Sequence, residues 1–246
     1  MAGDRQTMHD GDGAPSGFPA GEPLARGAAS LLRSNRRPLI VAVCLWVFLV
    51  LLNRVLAGEI MAFDRAAIAL MVDHVRTAWL TPVMKAVSFV VTPVPLVALI
   101  FAIGIGSRAR GHRGMGVFCA VNLIGSTVLN QVLKFAIQRP RPDVALRLVD
   151  IGGFSFPSGH SMAAMAFFGL LVWLTWRYVD DPRRRAVLCS LLCIMIAAVG
   201  FSRVYLGVHY ASDVVGGFCA SIIWLAVYTK VAGPRLTARS GAPAAA

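Results

Sequence analysis

FPSGHSMAAMAFFGLLVWLTWRY, residues 156–178, opens on a polar turn and runs on as an apolar segment with no charged side chain other than Arg177. From Gly159 onward the run matches the roughly 20 residues that a helix needs to cross the hydrocarbon layer. Ser158 has the position of an N-cap, and the Gly159 that follows lets a ligand approach the backbone closely. The rest of the chain has the same character. Of its 246 residues, 57% are hydrophobic and only 15% charged, and the mean hydropathy is +0.68. A soluble domain of this length has too little interior to hide so much apolar side chain, so the chain reads as a membrane protein.

Outward from that stretch, apolar runs recur at about 38–52, 83–105, 114–134, 186–205 and 212–232. Together they predict an all-α fold, a six-transmembrane-helix bundle. The segment from Glu59 to Leu80 mixes Asp64, Arg65, Asp73, His74 and Arg76 with aliphatics, the pattern of a short interfacial helix after the first span. Pro93 and Pro95 interrupt the second apolar run and leave its start and straightness open. Residues 1–35, rich in Gly, Ala, Pro and Asp, read as a disordered cytoplasmic tail, and 233–246 as a second one, around a membrane domain at 36–232. Val55-Leu56-Ala57 has the form of a signal cleavage site, but the long polar leader favours a retained first span. Cys44, Cys119, Cys189, Cys193 and Cys219 all lie in apolar segments, as small buried hydrophobes rather than a disulfide framework or metal site.

The net charge of +12 has no compact basic face interleaved with aromatics, so nucleic acid is not an expected partner. Its distribution instead follows the positive-inside pattern. Most Lys and Arg fall in the two tails and in the loops Arg108–Arg113 and Arg177–Arg185. Both termini are therefore expected in the cytoplasm. Lys134, Arg139, Arg141, Arg147 and Arg203 form a basic group on the other, extracytoplasmic side. Asp143 and Asp150 are the expected partners of Arg139 or Arg147. Asn53, Asn122, Asn130 and Gln131 are expected to join helices by hydrogen bonds.

Three short segments at span ends share that extracytoplasmic side: Lys134 to Pro142, Phe156 to Ser161, and Ser202 to Asp213. His209 and Asp213 are four residues apart, so on a helix they meet on one face. A carboxylate bound to one imidazole nitrogen fixes the tautomer and leaves the other nitrogen free as a nucleophile. The start of the helix after Ser158 offers unpaired N–H groups and a positive dipole end to an anion, with His160 placed to act as a general acid. Lys134, Arg141 and Arg203 are cations suited to phosphate oxygens. Taken singly, each has a plainer reading: an ordinary His–Asp helix start, a turn with a cap, side chains snorkelling to the interface. His74 and His112 have no partners at ligand spacing, and no metal site is expected.

In combination, these segments resemble the type-2 phosphatidic acid phosphatase superfamily, whose pattern is KX6RP, PSGH and SRX5HX3D. Lys134 with Arg141-Pro142, then Pro157-Ser158-Gly159-His160, then Ser202-Arg203, His209 and Asp213 match it in order. The spacing selects Arg141 over Arg139. The resemblance covers roughly residues 60–232 and implies a membrane phosphatase working without a cofactor or metal. In the roles it implies, His209 is the nucleophile that forms a phosphohistidine, Asp213 orients it, and His160 is the general acid. Lys134, Arg141, Ser158, Gly159 and Arg203 hold the phosphate. The implied partner is a lipid phosphate or diphosphate within the membrane: undecaprenyl diphosphate, phosphatidylglycerol phosphate, phosphatidic acid or phosphorylated lipid A. A lipid phosphotransferase passing the phosphate to an acceptor other than water is the alternative.

Overall fold

The computed structural model describes the backbone of residues 36–240 and, beyond Pro234, the side chain of Leu236 alone. The tail expected over 1–35 lies outside the described residues. Every regular element described is helical. The first, α1 (Arg36–Leu56), is followed by the short helix α2 (Ala62–Leu70), which runs into a π-turn at Met71–Val75. Then come α3 (Leu80–Phe89), α4 (Pro93–Ala109), α5 (Met115–Ile137), α6 (Gly159–Tyr178), α7 (Pro182–Tyr205) and α8 (Ala211–Ser240).

Five of these helices are long and apolar enough to cross a membrane, and six spans result if the bent pair α3 and α4 counts as one. The expected second span is thus broken, with a 54° bend. Pro93 begins α4 at its first turn, where a missing N–H costs nothing, but its ring disfavours continuing the helix from α3 through Thr92. At the other end, α8 runs on past residue 232, where the sequence reading ended the domain, and carries Pro234 inside it.

The centre of the bundle is α6, which packs most extensively against α7 and α8. Ala164, Ala166, Phe167 and Leu170 are completely buried there. The outer surface is apolar, with Trp46, Phe101 and Ile194 well exposed, as a hydrocarbon-facing exterior requires. With lipid outside and side chains inside equally apolar, close packing and interhelical hydrogen bonds must carry the association. Asn122 Nδ2 donates to Ala166 O at 2.7 Å and Trp224 Nε1 donates to Asn122 Oδ1 at 3.0 Å, joining α5, α6 and α8. Asn130 Nδ2 donates to Pro157 O at 3.1 Å. A Cβ on Gly116 would stand 2.9 Å from Gly104 Cα, so α4 and α5 cross almost backbone to backbone.

All five cysteines are free. Cys44, Cys119 and Cys219 are buried as expected, whereas Cys193 lies on the outer face of α7, where a membrane protein tolerates any apolar side chain.

Candidate active site

The three motif segments meet at one end of the bundle. The loop from Gln138 to Ser158 returns across it and is tied at several points. Ser155 N donates to Arg139 O at 2.8 Å, Ser158 N to Asp213 O at 3.0 Å, and Leu148 N to Leu206 O at 2.9 Å. The turn carrying His209 follows α7 and needs glycine at its bend. Gly207 has φ +70°, and a Cβ there would lie 2.1 Å from Leu146 O. Arg76, just beyond the π-turn, clamps the same turn, donating from Nε to Tyr205 O at 3.0 Å and from Nη2 to Leu146 O at 2.7 Å.

His209 is 1% exposed and Asp213 fully buried. His209 Nδ1 is 3.3 Å from Asp213 Oδ2, and its Nε2 is 3.1 Å from Arg141 Nη1. The carboxylate can only accept, so the hydrogen-bond pattern assigns the proton to Nδ1 and the lone pair to Nε2. Burial pushes the His209 ring down to about 4; the Asp213 hydrogen bond and charge oppose this, and Arg141 and Arg203 add to it. The neutral ring is therefore the form held in the folded protein. Arg141 donates from Nε to Gly152 O and Gly153 O and from Nη1 to Val208 O, which anchors the guanidinium beside Nε2 of the ring. Burial lowers its pKa, Asp213 raises it and Arg147 lowers it further.

That depressed histidine pKa has a consequence for stability. Below its ordinary value near 6.5 the unfolded chain takes up a proton that folded His209 refuses until about pH 4. Stability is thus present above pH 6.5 and is lost as pH falls through that window. Thermal melts in detergent should show wild type losing stability more steeply than His209→Ala between pH 6.5 and 4. Parallel curves would contradict the assignment.

Arg203, 2% exposed, is bound at Nη1 to the Ser88 hydroxyl. Its Nε and Nη2 are buried without a hydrogen-bond partner. Two unsatisfied donors on a buried guanidinium are costly unless an anion completes them. Lys134 Nζ donates to Phe154 O and, at 3.5 Å, to Ser155 O. His160, in the first turn of α6, lies within electrostatic reach of Arg203, His209, Arg141 and Lys134. Both motif histidines and all three motif cations thus gather in one cluster. Ser158 is the N-cap of α6, its Oγ accepting from Ser161 N at 3.4 Å and from Ser161 Oγ at 3.0 Å. Gly159 has a second reason to be glycine: a Cβ there would meet Asn130 Oδ1 at 3.0 Å. Among the described residues, no three His, Cys, Asp or Glu side chains gather as a metal ion would need.

The structure corrects the reading of the acidic residues. Asp64, assigned to an interfacial surface, is completely buried. Arg139 pairs with neither Asp143 nor Asp150; it bridges Asp213 Oδ1 at 2.6 Å and Asp64 Oδ2 at 3.0 Å. Asp143 instead caps a short turn through Ala145 N, and Arg147 donates to Pro142 O. Ser155, which no motif marks, donates its hydroxyl to Asp213 Oδ2, and Tyr210 N donates to the same oxygen at 2.8 Å. The Arg139-Pro140-Arg141-Pro142 repeat was a signal for a second buried arginine; nothing local in the sequence marks Asp64 as its partner.

Comparison with known proteins gives the family. The family model of the PAP2 superfamily matches residues 116–236. Phosphatidylglycerophosphatase B of Bacillus subtilis is 33% identical over 72% of this chain and 86% of its own length. A lipid A 1-phosphatase from Rhizobium johnstonii is 32% identical over 48% of this chain and 47% of its own. Among solved structures, a transmembrane PAP2-type phosphatidylglycerolphosphate phosphatase from Bacillus subtilis superposes with TM-score 0.70 and 29% identity, covering 79% of this chain and 96% of that one. Aquifex aeolicus LpxE shares the fold at TM-score 0.56 and 22% identity, over 70% of this chain and 98% of that one. With helices built to span a bilayer and a relative aligned along most of its length, the chain belongs to the PAP2 superfamily and is a multi-pass membrane phosphatase, a hydrolase of phosphoric esters.

Proposed function

We propose that the protein removes the terminal phosphate from a lipid phosphate or diphosphate in the outer leaflet, through a phosphohistidine on His209 and without a metal. The observation that carries this reading is the buried His209–Asp213 pair, its Nε2 beside Arg141 and the two unpartnered donors of Arg203 within the same cluster.

In the first step the Nε2 lone pair bonds to phosphorus as the P–O bond to the lipid breaks, and protonated His160 gives its proton to the departing oxygen. In the second, His160 takes a proton from water, the resulting hydroxide attacks phosphorus, the P–N bond breaks and its electron pair returns to Nε2. Arg203, Lys134, Arg141, the Ser158 hydroxyl and the Gly159 N–H spread the charge of the equatorial oxygens, a role that fixed donors perform without reorganisation. Arg141 has an additional part. Drawing its guanidinium toward phosphate oxygens frees the Nε2 lone pair that it faces.

A lipid substrate is supported by a groove of about 430 Å³ that reaches His160. Val91, Leu96 and Val97 wall it on one side and Leu123 and Ile124 on the other, with Ser126, Thr127, Asn130, Gln131 and His160 as its polar side chains. An acyl or prenyl chain fits such a wall; a sugar does not. The relatives' names point the same way, to phosphatidylglycerophosphate, lipid A and, in a Mycobacterium tuberculosis relative 29% identical, decaprenylphosphoryl-5-phosphoribose. Undecaprenyl diphosphate and phosphatidic acid present the same terminal phosphate. The distribution of Lys and Arg supports an inner-membrane protein with both termini cytoplasmic and the pocket on the extracytoplasmic face.

The deciding measurement is phosphate release from a panel of purified lipid phosphates and diphosphates in detergent with EDTA present. Turnover of at least one lipid, undiminished by EDTA, is expected. Activity lost to EDTA and restored by a divalent cation would overturn the metal-free mechanism. Phosphate appearing only on an added alcohol would make the protein a phosphotransferase.

A further inference from the structure

We infer that Arg139 and Asp64 are positioning residues for the reaction, forming with Asp213 a buried charged relay that orients His209 and sets the charge behind its ring. The inference rests on the reading of His209 and Asp213 as the nucleophile pair.

Arg139 is 5% exposed, and both terminal nitrogens of its guanidinium are engaged. Nη1 donates to Asp213 Oδ1 at 2.6 Å and to Ser212 Oγ at 2.7 Å, while Nη2 donates to Asp64 Oδ2 at 3.0 Å. Its Cζ lies 4.2 Å from the centre of the Tyr210 ring. Asp64 in turn accepts from Ser212 N at 2.8 Å and from Ser212 Oγ at 2.7 Å, so a carboxylate from α2 seats the first turn of α8. The relay thus connects an interfacial helix, the loop after α5 and the residue that orients the nucleophile.

Two features go beyond simple bracing. Arg139 engages Asp213 through Oδ1 and leaves Oδ2 to the Nδ1 of His209, so it selects which carboxylate oxygen faces the ring. The relay also holds two carboxylates against one guanidinium, a formal excess of one negative charge. When Nε2 bonds phosphorus the imidazole becomes cationic, and a fixed negative charge behind it stabilises that state. Asp213 alone, neutralised by Arg139, would supply less; Asp64 restores the balance.

The two residues therefore have opposite electrostatic signatures. Asp64→Asn removes a negative charge and should move the acid limb of kcat to lower pH. Arg139→Gln removes a positive charge and should move it to higher pH. The other charged or titratable groups around the ring are unchanged in both variants. They are Arg141 and Arg147 from the loop, Lys134 from α5, His160 from α6, Arg203 from α7, and Tyr210 and Asp213 flanking the start of α8.

The experiment measures kcat, KM and their pH profiles for the full chain in detergent, on whichever lipid phosphate the wild type turns over. In both variants kcat is expected to fall about 10- to 100-fold, the scale known for lost supporting contacts behind metal-bound histidines, with KM within about threefold. Arg139→Lys and Asp64→Glu should recover part of the loss. Ser212→Ala keeps every charge and should leave the acid limb in place. A raised KM with kcat unchanged, or limbs that move together or not at all, would overturn the inference. Should Arg139→Gln fail to fold by size exclusion, the direction of the Asp64→Asn limb against Ser212→Ala decides alone. Full activity in His209→Ala would instead remove the mechanism on which the relay depends, a separate failure.

Discussion

His209→Ala is expected to lower kcat by about 10⁴-fold or more, the scale seen when the member of a nucleophilic unit that forms the covalent bond is deleted. Four features lead to that expectation. The ring is buried and held neutral, so a lone pair is available at ordinary pH. Its Nδ1 is committed to Asp213, so the lone pair sits on Nε2. Nε2 faces the guanidinium of Arg141, where phosphate oxygens would be drawn in. The other imidazole of the cluster, His160 in the first turn of α6, has no carboxylate within hydrogen-bond distance among the described residues, so its lone pair is not fixed in the same way. Insertion should be unaffected, since the side chain lies between spans rather than within one. Rapid quench with a ³²P-labelled substrate should trap an acid-labile, base-stable phosphoprotein in wild type and none in the variant. A variant turning over within tenfold of wild type would remove His209 from the mechanism, and trapped phosphate elsewhere would name its replacement.

Arg203→Leu is expected to cost about 10³-fold in kcat, the upper range for removing a preorganised donor to a developing oxyanion. Arg203 differs from the other two cations in its local accounting. Lys134 is held by the carbonyls of Phe154 and Ser155, and Arg141 by those of Gly152, Gly153 and Val208. Arg203 has one partner, Ser88, and two buried donors with none. A folded chain tolerates such an arrangement at a price in stability that function repays. It follows that Arg203→Leu, apolar and of fitting volume, should fold at least as stably as wild type while losing activity. Arg203→Lys should keep the charge, lose the two-pronged contact and fall between them. A leucine variant both less stable and nearly as active would show that the arginine serves packing.

The relation between sequence and structure differs from element to element. Span positions were legible because burial in lipid demands long apolar runs, and α5, α6 and α7 formed near where those runs lie. The bend between α3 and α4 was only half visible: Pro93 and Pro95 announce a break, but the 54° angle depends on what packs around it. Asn122 and Asn130 could be assigned to helix joining because an amide in an apolar span has few other uses.

By itself the sequence determined an all-helical membrane protein, the motif residues of the proposed site and the His209–Asp213 pair four residues apart. The first is written in composition and run length, the second in the resemblance of three short motifs and the third in helical spacing, each local to one helix or one turn. Tertiary structure alone decided that Arg139 spans Asp213 and Asp64, that Ser155 completes the carboxylate's hydrogen bonds, and that Arg203 keeps two donors unpaired. The reason is physical. A buried charge must find a partner wherever the fold places one, and Asp64 lies 75 residues from Arg139 along the chain, beyond the reach of any helical or turn periodicity.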